Sequence, residues 1–183
     1  INLNEILNAK SYNLNNSKIN YPFKKKWQIN TEQNIDDKNP YLPDPLFFDS
    51  NIYLLNTKGY LFKINSDDGK LIWKKQIFNE LDNTIIGTPA ISGIKNKNNT
   101  ITLYAHNGSN KLFAINGVDG TILWQKKSNL PFRGGITSYK NYLFVSDFDG
   151  NFLSIDNKNG KVLWKVFLGS EYNSVYTTAR PLV

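Results

Sequence analysis

The sequence predicts an all-β protein, a β-propeller of which this chain covers about three to four four-stranded blades. Three observations predict it. A segment ending in Gly-x-x-x-Trp occurs three times, aromatic residues make up 14% of the 183 residues, and short apolar runs alternate with turn residues. Units of about 40–50 residues with four short strands are typical of propeller blades. Aromatic and β-branched residues also favour strands.

The repeat is defined by its glycine and its tryptophan. The tryptophans are 51 and 40 residues apart, and the longer interval contains the polar tract 95–100, which we interpret as a loop insertion. The glycine stands four residues before the tryptophan, in a turn where the backbone requires positive φ. The structural residues of the three copies are Gly69 and Trp73, Gly120 and Trp124, and Gly160 and Trp164.

The first blade shows the four strands most clearly, and we predict them at residues 45–48, 52–56, 60–65 and 71–77. Turns at 57–59 and 67–69 place Gly59 and Gly69 where positive φ is needed. In the second blade Asn110 occupies the position of Gly59. Asn tolerates positive φ better than most residues, so we expect Asn110 to adopt it.

The predicted organisation is an extended polar lead-in at residues 1–20 followed by a partial propeller at 21–183. Its elements are a closing outer strand near 24–30 around Trp27, blades at about 42–78, 86–127 and 134–168, and the start of a further blade at 176–183. Three blades cannot close a ring and would expose strand edges. We therefore expect either a fragment of a longer chain or edges covered by a partner.

The tryptophans are predicted to pack between blades. Each occupies the same place on the last strand of its blade, where a large flat side chain can dock on the next blade. Such an indole buries about 150–250 Å² and needs a backbone acceptor for its N–H.

Charge and composition exclude several classes of function. The net charge is +7, but the lysines are scattered and only 24–26 form a run, so a solvated surface is favoured over nucleic-acid binding. The absence of cysteine excludes disulfides and Cys-ligated zinc. There is no run of 18 apolar residues that could span a membrane.

No catalytic, metal or cofactor site is predicted, and the protein is not expected to be an enzyme. His106 is the single histidine and has no partner in a motif, so we expect a structural or surface position. Residues 147–151 resemble a calcium loop but lack its third acidic ligand and distal Glu, so a β-turn is favoured. Asp67 and Asp68 are also interpreted as turn residues.

The segment Ile64-Asn-Ser-Asp-Asp-Gly-Lys-Leu-Ile-Trp73 resembles the PQQ-type propeller repeat. The family's Thr before Gly is replaced by Asp68, Asp119 and Asn159 in the three copies, all of them turn formers. The resemblance covers roughly residues 40–183 and implies that the blades belong to a larger, eight-bladed ring.

Among the families with this repeat, the chain is most similar to BamB, the lipoprotein of the outer-membrane β-barrel assembly machine. The similarity lies in the outer strand around Trp27 and in the connection Ser128-Asn-Leu-Pro-Phe-Arg-Gly-Gly135. It implies a non-catalytic scaffold whose partners are BamA-like periplasmic domains, with Leu130, Phe132 and Arg133 as partner-binding residues. The alternative for Arg133 is a hydrogen bond to carbonyl groups at the blade rim.

The same resemblance implies a position at the periplasmic face of the outer membrane, through a lipid anchor not present in this chain.

Two other functions remain open. Quinoprotein dehydrogenases, which hold PQQ and calcium in a propeller, share the repeat, and so do sensory or ligand-binding propellers.

Overall fold

The computed structural model describes residues 24–31, 43–79, 88–169 and 180–182. Within these residues every regular element is a β-strand, and the strands form three four-stranded antiparallel sheets. Blade 1 contains β1 (Leu46–Phe48), β2 (Asn51–Leu55), β3 (Tyr60–Asn65) and β4 (Leu71–Gln76). Blade 2 contains β5 (Ala90–Lys95), β6 (Ile101–His106), β7 (Lys111–Asn116) and β8 (Ile122–Lys127). Blade 3 contains β9 (Phe132–Tyr139), β10 (Tyr142–Asp147), β11 (Asn151–Asp156) and β12 (Val162–Phe167).

Each sheet follows chain order, so every connection within a blade is a hairpin. This arrangement confirms the predicted fold class, three blades of a β-propeller.

The same register shift occurs before the tryptophan in all three blades. In blade 1, Lys63 pairs with Trp73 but Ile64 pairs with Leu71, so Ile72 is an extra residue. Such a bulge turns the local strand, and its repetition gives each tryptophan the same orientation; the extra residues in blades 2 and 3 are Leu123 and Leu163.

The hydrophobic core lies between the blades. One buried cluster joins blades 1 and 2, and a second joins blades 2 and 3. In the first, Tyr53 and Leu61 of blade 1 meet Ile91 and Phe113 of blade 2, all at most 1% exposed. A blade's apolar face is therefore covered by the next blade in the chain, as the repeat predicts.

The innermost strands of blades 2 and 3 are joined by serines. The Ser138 backbone N–H donates to Ser92 Oγ at 3.0 Å, and the Ser138 hydroxyl donates to the carbonyl of Gly93 at 2.7 Å. Gly93 is also in close contact with Phe48 of blade 1, whose Cε2 lies 2.8 Å from where a β-carbon would stand. These contacts fix the three inner strands side by side.

One turn differs from the sequence prediction. Gly59 has φ +82°, as expected, but Asn110 is not among the residues with positive φ, so the expectation for Asn110 is wrong. The left-handed residue of that loop is Gly108, at φ +69°. The reason is local: the Gly108 N–H donates to His106 Nδ1, and Asn107 Oδ1 accepts the N–H of Lys111, which places the sharp turn earlier.

The proposed ends of the propeller are described only in part. The lead-in at 1–20 and most of 176–183 lie outside the described residues. Residues 24–31 form no strand, yet the Trp27 indole N–H donates to the Ser66 carbonyl at 2.9 Å and its ring lies against Gly69. At the other end, Arg180 lies against Gly135 of β9 and its Nη2 donates to the Ile91 carbonyl at 3.1 Å. The domain bounds themselves stay predictions.

No helix long and apolar enough to cross a membrane occurs in the part of the chain that the structure describes.

Candidate functional site

The repeat tryptophans form joints between blades. Trp73 Nε1 donates to the Val118 carbonyl at 2.8 Å, and its ring lies against Gly120. Trp124 does the same one blade further on, donating to the Asn157 carbonyl at 3.0 Å and packing on Gly160. These joints have the geometry that the sequence pattern leads one to expect.

Trp164 occupies the same position on blade 3 but remains 44% exposed. Its ring lies 6.1 Å from Phe144 and 5.9 Å from Phe152, both in its own blade. Within the described residues, Trp164 therefore packs within its blade rather than across a joint.

The connection between blades 2 and 3 is held on both sides by backbone hydrogen bonds. Ser128 N–H donates to the Asn110 carbonyl and Phe132 N–H to the Ser109 carbonyl, each at 2.7 Å, which ties the connection to blade 2. Phe148 N–H donates to the Pro131 carbonyl at 3.0 Å, which ties it to blade 3. The residues at 128–132 consequently form a short, fixed loop at the edge between two blades.

The three side chains that were predicted to bind a partner differ in their exposure to solvent. Phe132 is 3% exposed and belongs to the core between blades 2 and 3, with its ring 5.6 Å from His106. The pairing of β9 with β10 sets Phe132 opposite the buried Asp147, and its side chain faces the core, so it is not available to a partner in this structure. Leu130 and Arg133 are partly exposed.

Arg133 lies over an aromatic ring that sequence reasoning missed. Its guanidinium carbon is 4.8 Å from the centre of the Phe148 ring, a cation–π geometry. Phe148 is partly exposed and occupies the turn between β10 and β11. We call Leu130, Arg133 and Phe148 the loop patch. The sequence could have singled out Phe148, because it is an aromatic residue within the turn sequence Asp147-Phe-Asp-Gly150, where small or polar residues are usual.

Asp147 fixes the turn that carries Phe148. It is 4% exposed, and its Oδ1 accepts the backbone N–H groups of Asp149 and Asn151 at 3.1 and 2.9 Å. The Asn151 side-chain amide lies within 2.9 Å of both carboxylate oxygens. The carboxylate thus closes a hairpin turn, the structure that the sequence favours over a calcium loop.

His106 is fully buried beside the ring of Phe132. Its Nε2 lies 2.9 Å from the Gly134 carbonyl, and its Nδ1 accepts the Gly108 N–H at 3.2 Å. Burial lowers the pKa of His106 from 6.5 to about 4, against the opposing effect of the hydrogen bond to Gly134. The neutral ring therefore donates from Nε2, and it links the β6–β7 loop to β9, as expected of a structural histidine.

No group of three or more His, Asp or Glu side chains among the described residues comes together in an arrangement that could hold a metal ion.

Comparison with protein families matches most of the chain to a single family. A family model described as outer membrane protein assembly factor BamB matches residues 24–183. Among curated proteins, the chain is 28% identical to the outer membrane protein assembly factor BamB of Shewanella oneidensis over 131 residues, 69% of this chain and 29% of that protein.

Two enzymes are also similar. The tetrathionate hydrolase of Acidithiobacillus ferrooxidans is 26% identical over 159 residues, 74% of this chain and 30% of the enzyme. The quinoprotein ethanol dehydrogenase of Pseudomonas aeruginosa is 39% identical over 66 residues, 36% of this chain and 10% of the enzyme. The chain thus spans less than a third of the length of each of these relatives.

Among solved structures, BamB from Moraxella catarrhalis superposes with a TM-score of 0.51 at 14% identity, over 68% of this chain and 36% of that one. At this identity the likeness concerns the fold.

Proposed function

The chain belongs to the family of the outer membrane protein assembly factor BamB, and from this we propose that it is a non-catalytic propeller scaffold that binds protein partners during outer-membrane β-barrel assembly. The role is passive. Packed blades hold exposed loops in a fixed geometry, and a pre-ordered loop loses little conformational entropy when it binds.

The observation that supports this proposal is the loop patch. The connection carrying Leu130 and Arg133 is hydrogen bonded to blade 2 through Ser109 and to blade 3 through Phe148. Arginine and aromatic side chains are enriched among the residues that dominate protein–protein binding energy. An arginine stacked on a phenylalanine, with a partly exposed leucine three residues before the arginine, is a surface of that kind.

We propose BamA-like periplasmic domains as the partner and the periplasmic face of the outer membrane as the location. A lipid anchor outside this chain would hold the protein there. This part of the proposal is supported by family membership and by the position of the patch in the 128–135 connection, the segment that resembles the family's docking loop.

The experiment is calorimetric titration of the protein with the periplasmic domains of the BamA homologue from the same organism. Arg133→Glu is compared with Lys161→Glu, which makes the same charge reversal on an exposed residue of the β11–β12 turn. We expect micromolar or tighter binding, weakened about tenfold or more by Arg133→Glu and little changed by Lys161→Glu. Binding that is equally sensitive to both substitutions would reject the loop patch.

Similarity to a quinoprotein ethanol dehydrogenase supports an enzyme as the second candidate. In that case, absence of BamA binding would be accompanied by saturable binding of PQQ and calcium and by dye-linked alcohol oxidation in the complete protein. Retained BamA binding without PQQ binding would reject the enzyme.

A further inference from the structure

Strand β9 is irregular directly after Arg133. Opposite the single residue Val145 of β10, β9 has three residues, 134–136, so the ladder between the two strands is interrupted there. The first strands of blades 1 and 2 pair with their neighbours without a shift. An insertion of this kind is a β-bulge, which bends its strand and changes the direction of the side chains beside it. The bulge in β9 therefore helps to set where the Arg133 side chain points.

A histidine of the neighbouring blade holds this bulge. Gly134, the first of the three residues, has φ +71°, a conformation that glycine adopts without steric strain. Its carbonyl group accepts a hydrogen bond from His106 Nε2 at 2.9 Å. A carbonyl group withdrawn from water needs such a partner. His106 therefore favours this backbone conformation of the bulge over others.

The same loop of blade 2 holds the backbone on the other side of Arg133. The Phe132 N–H donates to the Ser109 carbonyl at 2.7 Å. The conformation of the loop that carries Ser109 depends in turn on His106, because its Nδ1 accepts the N–H of Gly108 at 3.2 Å, where φ is +69°. The residues on both sides of Arg133 are thus attached to blade 2, and His106 takes part in both attachments.

The two ring nitrogens of His106 have opposite roles, which requires a neutral ring. Burial lowers the pKa of His106 to about 4, so near neutral pH one nitrogen carries a proton to donate and the other has a lone pair to accept. By strand register, the equivalent residues of blades 1 and 3 are Leu55 and Ser146. Among the described blades, the imidazole and the bulge that it contacts therefore occur together, at the joint between blades 2 and 3.

We propose that His106 is a positioning residue of the loop patch, which fixes the backbone on both sides of Arg133 so that the guanidinium group lies over the Phe148 ring. The proposal deepens the proposed function and rests on it for the part that Arg133 plays in binding a partner. His106 is fully buried and does not itself reach the surface. A side chain that is already held in its binding geometry loses less conformational entropy on association. His106 therefore raises the affinity of the loop patch without touching the partner.

The test compares three variants. His106→Leu introduces the residue that blade 1 has at the equivalent position and removes both hydrogen bonds of the ring. His106→Gln retains an amide N–H that can donate to the Gly134 carbonyl. Leu55→Ala is the control, because it creates a cavity in the core between blades 1 and 2, a joint that does not carry the loop patch. Circular dichroism and urea denaturation verify that each variant folds and measure its stability.

Two quantities are measured in each variant. The first is the NMR chemical shift of the Arg133 side-chain protons, which the ring current of Phe148 moves upfield, and Phe148→Leu identifies this contribution. The second is the affinity for the periplasmic domains of the BamA homologue, measured by calorimetry. The chemical shift needs no partner, and a loss of global stability alone leaves it unchanged in the folded protein.

We expect His106→Leu to remove most of the upfield shift of Arg133 and to weaken binding about fivefold or more. His106→Gln should restore part of both, and Leu55→Ala should leave both nearly unchanged. An unchanged Arg133 shift in folded His106→Leu, or an equal effect of Leu55→Ala, would overturn the proposal.

Gly134→Ala tests the same bulge from its other side if His106→Leu does not fold. Alanine is strained at φ +71°, so the bulge should change and the Arg133 shift should decrease, and an unchanged shift would again overturn the proposal. Absence of BamA binding by the native protein would reject the proposed function, whereas the Arg133 shift would still show whether His106 positions that side chain. The two proposals therefore fail separately.

Discussion

Trp124 of blade 2 rests on Gly160 of blade 3, with its Cζ3 atom 2.9 Å from the point where a β-carbon on Gly160 would stand. Trp73 has the same relationship with Gly120, at 3.1 Å. The glycine therefore has two roles at once. It adopts the positive φ that the turn requires, and it leaves the space that the preceding blade's indole fills.

The two roles of Gly160 can be separated by comparing Gly160→Ala with Gly150→Ala. Both glycines have positive φ, +72° and +80°, so alanine is strained by about 1–2 kcal/mol at either position. At Gly150 the nearest atom to an added β-carbon is 3.6 Å away, whereas at Gly160 it meets Lys126 Cγ at 2.5 Å and the Trp124 ring. We expect Gly160→Ala to lower the free energy of unfolding by at least about 1 kcal/mol more, measured by urea denaturation. Equal losses would mean that the indole moves aside without cost.

The loss of stability caused by removing a repeat tryptophan should depend on whether its indole packs against the next blade. Trp124→Ala removes a packed ring and its hydrogen bond to Asn157, and we expect a loss of about 3–5 kcal/mol. Trp164→Ala removes a ring that is 44% exposed, so its loss should be clearly smaller. Thermal denaturation of both variants tests this, and similar shifts in Tm would contradict the inter-blade role.

Two serines should respond in opposite ways to substitution by alanine. Ser92→Ala removes the acceptor of the Ser138 N–H and the hydroxyl contact to Ser138, so we expect a loss of about 1–3 kcal/mol in stability. The hydroxyl of Ser154 is buried and has no hydrogen-bond partner among the described residues. Ser154→Ala should therefore be neutral or stabilising. Chemical denaturation of the two variants side by side provides the measurement.

Stability should fall on mild acidification because of His106. Its pKa is about 4 in the folded protein and 6.5 in the unfolded chain, so the unfolded chain takes up a proton first as the pH decreases. The stabilisation is complete above pH 6.5 and is lost as the pH falls towards 4, by about 3 kcal/mol in total. The difference in unfolding free energy between the native protein and His106→Gln, measured across this range, should decrease accordingly. A constant difference would show that His106 does not titrate as described.

The repeat made the blades predictable because its glycine and tryptophan mark the same turn and joint in every copy. The strands of blade 1 were expected within one or two residues of their observed bounds, since turn residues flank them. The position of positive φ in the β6–β7 loop was not predictable, because it depends on hydrogen bonds that the His106 and Asn107 side chains accept from backbone N–H groups only in the folded loop.

The candidate site was predictable only as a segment of the chain. Leu130 and Arg133 were identified from the connection between blades, but the direction of each side chain depends on where β9 begins. The register of β9 buries Phe132 and leaves the next residue, Arg133, partly exposed. Phe148 lies 15 residues further along and reaches Arg133 because β9 and β10 pair, with Phe132 opposite Asp147. A contact between such distant positions is a property of the sheet rather than of a local motif.

Under the proposed function, the attachment of the 128–132 loop to two blades would couple partner recognition to the interior of the protein. The loop is hydrogen bonded to Ser109 and Asn110 on one side and to Phe148 on the other, so its geometry depends on the angle between blades 2 and 3. That angle is maintained by Trp124 against Gly160. A substitution that loosens this joint without touching the surface would let the two anchor points drift apart, and the loop would have to be reordered at each binding event. The affinity of the loop for a partner would then decline, so that a change in the packing of Trp124 against Gly160, which the partner never contacts, would be measurable as weaker binding.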